Sequence, residues 1–181
     1  MNEVNFKYKQ KGNFTVEFAI IGVVFSLLIV FSADVIMKLS LKGKLDRLSY
    51  SVVNMLKERT QFNSENFAVT EDEASALNKI AQQSMHRTSA NFDGQRWGMS
   101  IEALQFDRND NSSVLSFSEG EQGVNNRVPI QDLGDLVVIT SWGRRATIYR
   151  VTLIYKTENW FGSLIGKEFN TVSSSSVMIG R

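Results

Sequence analysis

The sequence predicts an α+β fold in which one long N-terminal helix carries a second helix and a small antiparallel sheet. Three observations lead there. Residues 18–33 hold no charged side chain. Beyond them, apolar residues recur at helical spacing along one side only, from Leu41 to Leu56. After residue 94 the apolar period changes to two, the period of a strand with one buried face.

The 181-residue chain has room for one membrane segment and one modest domain with a single core. Its formal net charge is +1 and no run of like charges marks it, so nucleic-acid binding has no electrostatic footprint. With no cysteine there is no disulfide frame, thiolate metal site or thiol nucleophile. One histidine, His86, excludes a histidine metal cluster, and one proline, Pro129, excludes a proline-rich linker.

The first element is an apolar helix. Phe18, Ala19, Ile20, Ile21, Val23, Val24, Phe25, Leu27 and Leu28 belong to a stretch reaching Ala33, and from Asn13 onward Glu17 is its sole ionisable residue. As a helix, residues 13–33 span about 32 Å, close to a hydrocarbon core of about 30 Å. A soluble core helix would show a polar face, which is missing here. Ser26 and Ser32 are inexpensive in such a helix because a hydroxyl can bond back to a carbonyl one turn earlier. A cleaved secretory signal is the rival, but its apolar region is shorter, and the best small-x-small site would place Phe31 where a small residue is wanted. Lys7, Lys9 and Lys11 precede the segment with only Glu3 before them, which keeps the N-terminus cytoplasmic. Lys38, Lys42 and Lys44 follow and weaken that asymmetry. The rest of the chain would then cross to the periplasm of a bacterium.

The helix continues as a stem. Leu41, Leu45, Leu48, Val52, Met55 and Leu56 form an amphipathic stripe, with Lys42, Lys44, Arg47, Lys57 and Glu58 mostly off it. Gly43 is the expected hinge; the alternative is two helices broken at "LKGK". After a loop, Thr70 and Glu73 have capping-box spacing, and Ala74, Leu77, Ile80, Ala81 and Met85 line one face of a second helix ending near Arg87. Trp97, Met99, Ile101 and Ala103 then alternate with polar residues, and Val114–Phe117 forms a short strand. Leu136–Thr140 reads as a central strand because "LVVI" is apolar on both faces. Tyr149, Val151, Leu153 and Tyr155 alternate as the next strand, and 169–179 closes the chain as a Ser/Thr/Val strand. Four or five antiparallel strands on the stem result.

At the start of the chain a basic leader is followed by Gly12, and Glu17 stands five residues later at the head of the apolar helix. This pattern resembles the prepilin signal of type IV pilins and pseudopilins. The run "VEFAIIG" (16–22) is similar to the TadE and TadF pseudopilins of Tad (tight adherence)/Flp type IVc pilus systems. It departs from the Phe or Met and Thr-Leu-(Ile/Leu)-Glu run usual in type II secretion pseudopilins, and from the proline common in TadE. The tail, "ENWFGSLIG" (158–166) and "SSVMIGR" (175–181), looks like the family's C-terminal layout, and together these features favour the TadF branch over TadE. The resemblance implies a pilin-like architecture: a leader at 1–12, a membrane helix at 13–37 and a periplasmic head at 38–181. The head would comprise a stem helix at 38–59, a second helix at 71–87 and a sheet at 95–181. It further implies cleavage between Gly12 and Asn13, a charge-pairing role for Glu17 in assembly, and retention of the helix in the inner membrane before entry into a pilus. The implied partners are a prepilin peptidase, a TadE-like pseudopilin, the major Flp pilin and the inner-membrane assembly platform, with no cofactor and no small-molecule substrate.

The residues themselves bear on Glu17. Cleavage would leave a largely cationic α-amine on Asn13, and the first helical turn favours an acid. A Glu snorkelling at the headgroup level of an ordinary signal anchor is the plainer alternative.

Other candidate chemistry is thin. "DRNDN" (107–111) has alternate oxygens but lacks the glycine and bidentate Glu of a calcium loop, so a solvated turn is expected. "EGEQG" (119–123) reads as a loop, not a phosphate cradle, and no spacing selects a carboxylate pair for acid–base work. Trp160, Phe161, Leu164 and Ile165 form an apolar patch in a loop context: a core anchor, a partner surface or a membrane-lying loop. An assembly protein is therefore expected, not an enzyme. The other readings are a signal-anchored periplasmic binding or sensory domain, a type II secretion-like minor pseudopilin, and a membrane-anchored hydrolase.

Overall fold

The computed structural model describes residues 11–62, 69–107, 110–121, 128–140, 143 and 145–180, with the side chains of α1 from 14 to 58. Its elements are α1 (Lys11–Phe62), α2 (Glu71–Thr88), β1 (Trp97–Phe106), β2 (Ser112–Gly120), β3 (Ile148–Lys156), α3 (Trp160–Leu164) and β4 (Thr171–Ile179). Helix α1 runs unbroken through Gly43, where an added Cβ would meet nothing within 4 Å. The alternative of two helices broken at "LKGK" is thus not what forms. The chain forms two units: residues 1–39 with 158–169, and residues 40–157 with 170–181.

In the larger unit the sheet is wholly antiparallel, in the order β2-β1-β3-β4. Strand β3 is central and buried along nearly its whole length, because both its faces are covered. One face, with Tyr149, Val151 and Leu153, shares a core with Trp97, Met99 and Ile101 of β1 and with the stem. From the stem come Leu45, Val52, Val53 and Leu56, all fully buried. Burial of each such side chain favours folding by about 1.5–3 kcal/mol. Met55, expected on the stripe, is exposed, and Val53 takes its place. The helix stripe thus follows the three-four rule with a different member. From α2 come Ala74, Leu77, Ala81 and Met85, whereas Ile80, expected on that face, is about half exposed.

The buried polar residue of α2 is Asn78. Its Oδ1 accepts from Trp97 Nε1 at 2.8 Å, and its Nδ2 donates to Glu119 on β2. One amide therefore satisfies the buried indole and ties α2 to both strands of the β1–β2 hairpin. The helix begins as its spacing requires, with the Thr70 N–H donating to the Glu73 carboxylate at 2.9 Å. Its last carbonyl region receives a cation from the stem: Lys44 Nζ donates to Thr88 O at 2.7 Å.

The Ser-rich strand β4 meets the stem through hydroxyls. Ser49 of α1 is fully buried and its Oγ lies 3.1 Å from Ser174 Oγ and 2.7 Å from Ser176 Oγ. Ser174 also donates to Asp46, one turn earlier on the helix. Small side chains let helix and strand approach closely, and each hydroxyl placed there finds a partner. On the other face of the sheet, Arg150 is buried and makes a bidentate pair with Glu102, its register partner on β1, at 2.6 and 2.8 Å. Its remaining arm donates to Val128 O at 2.7 Å. Together these bonds give the buried guanidinium its compensation.

The segment 136–140 departs from the strand its composition predicts. It is not a central strand: Ile130–Leu136 is a 3₁₀ turn, and Val138 and Ile139 are exposed, with one isolated bridge from Ile139 to Arg145. Both edges of β1 and of β3 are already paired, so no inner place exists for a fifth strand. The apolar residue this region commits to the interior is Ile130, packed with Leu104 and Ile148. At 107–111 the described residues form a hairpin turn. Asn111 donates to both oxygens of Asp107, through N–H and Nδ2, each at 2.9 Å. Residues 108–109 and 122–123 lie outside the described residues.

Gly120 sits at φ 79°, and a Cβ there would stand 2.2 Å from Trp97 O. Gly120→Ala is expected to destabilise the chain by about 1–3 kcal/mol, while Gly94→Ala, with open space around it, changes little. Thermal unfolding of the full chain in detergent checks both. Burial pulls the Asp46 carboxyl upward, but hydrogen bonds from Lys42 and Ser174, with the Lys42 charge, outweigh it and hold the group below its ordinary value of 3.8. A depressed folded-state pKa adds stability above the unfolded value that is lost as pH falls through the folded one. The melting-temperature gap between wild type and Asp46→Asn should therefore be present at pH 7 and narrow below pH 4. With Asp46 about half exposed, the gap is small and shrinks with salt.

Candidate functional site: an apolar helix and the loop packed on it

The smaller unit contains the first part of α1 and the β3–β4 loop, 158–169. Among the described residues α1 is the one helix long and apolar enough to cross a membrane; its most apolar 18-residue window has a mean hydropathy of 2.6 and is only 6% buried. That exposure separates it from the core helix of a soluble protein, whose apolar residues would be covered. Phe18, Ile20, Ile21, Val23, Val24, Phe25, Leu27 and Leu28 all stand exposed around the helix, with Ala19 among them. Phe, Ile, Val and Leu contribute about 0.3–0.6 kcal/mol each to insertion, and residues 18–33 contain eleven of them. A single acid near the end of the span is tolerated against that total. Ser26 and Ser32 close on the carbonyls of Val23 and Leu28, both at 2.8 Å, so neither hydroxyl faces hydrocarbon without a bond.

Glu17 projects from this exposed apolar surface, two turns into the helix. Phe14 and Phe18 stack beside it with centroids 6.4 Å apart. Gly12 and Asn13 fall in the first turn of α1, and the Asn13 side chain lies outside the described residues, as do residues 1–10. The structure does not bring Glu17 to the aromatic loop, since their levels differ by about 21 Å of helix, fourteen residues at 1.5 Å each.

The loop forms its own small framework. Its helix α3 is one turn long, and Asn159 staples it: Nδ2 donates to Lys167 O at 2.7 Å while Oδ1 accepts from Phe169 N at 3.1 Å. Gly162 is required there, because a Cβ would stand 2.0 Å from Asn159 Oδ1 and 2.3 Å from Lys167 O. Phe161 packs edge-on against Phe31 of α1, centroids 4.9 Å apart. Of the four residues predicted as a patch, Phe161 is thus the anchor, and Trp160, Leu164 and Ile165 remain exposed.

One pair was not anticipated. Asp34 and Lys38 meet at 2.6 Å with side chains 9% and 18% exposed, at the end of the apolar run. Their i, i+4 order, acid first, is the favourable one on a helix and could have been read from the sequence. Closed on each other, they add no net charge at that level. Among the described residues no group of three or more His, Asp or Glu side chains could hold a metal ion.

In comparison with known families, the model of TadF, described as "putative tight adherence pilin protein F", matches residues 5–181. No curated protein and no solved structure matches the chain.

Proposed function

We propose that this chain, which belongs to the TadF family of tight adherence pilin proteins, is a minor pilin of a Tad-type pilus, acting in assembly or initiation and so in adherence. The family match carries the reading, because it covers the helix and the head together and not the apolar segment alone. Pilin membership implies a structural protein that associates with pilus components at a membrane, and the long apolar helix fits a single-pass anchor.

The finer reading rests on residue chemistry. The N-terminus stays cytoplasmic, the head lies in the periplasm, and a prepilin peptidase cuts the inner-membrane precursor between Gly12 and Asn13. The new α-amine, with an ordinary pKa of about 7.7–8.0, is then largely cationic, and Glu17 lies one turn along the helix. In hydrocarbon, an amine and a carboxylate that meet, within one chain or between neighbours, remove two poorly solvated charges together. The exposed side chains of α1 that lipid solvates before assembly become the surface on which neighbouring helices pack. Its partners in this role are the peptidase, a TadE-like pseudopilin, the major Flp pilin and the inner-membrane assembly platform. The protein works by supplying a helix and a docked head; it catalyses nothing and takes no cofactor.

Co-expression with a Tad-type prepilin peptidase, followed by intact-mass measurement, tests the processing step. Loss of residues 1–12, blocked by Gly12→Ala, is the expected result; an uncut chain beside an active peptidase would overturn it. Glu17→Ala should be cleaved nearly as well as wild type yet fail to support piliation. Normal pili from that variant would remove the charge-pairing role.

A further inference from the structure

The β3–β4 loop offers four large apolar side chains to its surroundings: Trp160, Leu164, Ile165 and Phe169 are each between 43% and 58% exposed. They sit on a loop of twelve residues that the Asn159 bonds and the Gly162 contact hold in one shape. Such a patch, presented rigidly, needs an apolar environment.

We propose that this environment is the lipid bilayer, and that the loop is a second, interfacial membrane contact beside the end of the spanning helix. Three observations select lipid over another occupant. The patch is continuous with the exposed apolar surface of α1, since Phe161 seats on Phe31, itself 44% exposed at the end of the uncharged run. Phe31 lies about 26 Å of helix beyond Phe14, so the loop meets α1 close to one hydrocarbon thickness from its start. Finally, the chemistry is that of the headgroup boundary. Trp160 presents its ring while Nε1 donates to Glu158 at 2.6 Å, and the exposed charges Glu158, Lys167 and Glu168 lie at the loop ends. Tryptophan favours that level because one molecule offers an apolar ring and a bonded N–H. The neutralised Asp34–Lys38 pair lies within two turns of Phe31 and adds no net charge against the boundary. The loop thereby fixes how deeply the helix sits.

This inference rests on the membrane reading of α1 but not on cleavage or on a pilus. The natural chain has no cysteine, so single labels are unambiguous. Nitroxides placed by Leu164→Cys and, separately, Ile165→Cys are read in full-length chain at one chain per nanodisc of phosphatidylethanolamine and phosphatidylglycerol. Ile29→Cys marks lipid and Tyr50→Cys marks water, both positions being well exposed. Collision with oxygen exceeding collision with a nickel chelate severalfold at 164 and 165, as at 29, is expected. Labels at 164 and 165 that behave like 50 while 29 stays in lipid overturn the loop contact alone. Labels shielded from both reagents only when several chains share a disc show a protein partner on the patch and overturn it as well. A water-exposed label at 29 overturns the membrane reading, and the loop contact with it.

Discussion

The head depends on how one side of the stem helix is covered. Leu45, Val52, Val53 and Leu56 lose all contact with solvent, and between them Ser49 is equally buried. An apolar stripe alone would tolerate several rotations of a helix over a sheet. The hydroxyl contacts from Ser49 to Ser174 and Ser176, and from Ser174 to Asp46, do not, because a small shift would leave buried donors without partners. The apolar residues thus supply the driving force, and the polar seam specifies the register.

The same division of labour recurs through the unit. Trp97 is fully buried and contributes a large apolar area, but Asn78 fixes how α2 lies over the hairpin by accepting its N–H. On the far face, the Arg150–Glu102 pair occupies a register position between β1 and β3 and recruits the backbone at Val128. Replacing only one member of such a pair would strand a charge. Gly98 and Gly120, opposite each other at the end of β1 and β2, are small for a related reason: backbone at Glu121 and Trp97 passes where a side chain would stand.

The smaller unit answers to a different solvent. Its helix exposes apolar residues all round, its serines bond inward, and its acid and base close on each other at Asp34 and Lys38. The exposed apolar surface is costly in water and suited to lipid, and the closed hydroxyls and ion pair leave those polar groups bonded without water. In the TadF family setting this gives the two-part protein that a pilin requires: a helix stable in membrane or bundle, and a head stable in water.

Patterns set by local spacing were legible in the sequence. The uncharged run, the capping box at Thr70 and Glu73, the alternation in β1 and β3 and the stem stripe all depend on residues three, four or two apart. So did the apolar surface around Glu17 and its distance from Gly12. Partner-dependent features were not legible. "LVVI" at 136–140 is apolar enough for a central strand, yet the positions beside β1 and β3 are taken by β2 and β4. Ile80 and Met55 obey helical spacing and still stand exposed, because spacing places a residue on a face and does not say how much of that face is covered. The seating of Phe161 on Phe31 joins residues 130 positions apart, which no periodicity encodes. The sequence alone thus determined that the chain has a lipid-suited helix and a helix-and-sheet head, because solvent preference is a property of local composition. Only the tertiary structure decided which strand is central, which polar residues are buried and where the aromatic loop sits, because those depend on which surfaces remain free once all the others have packed.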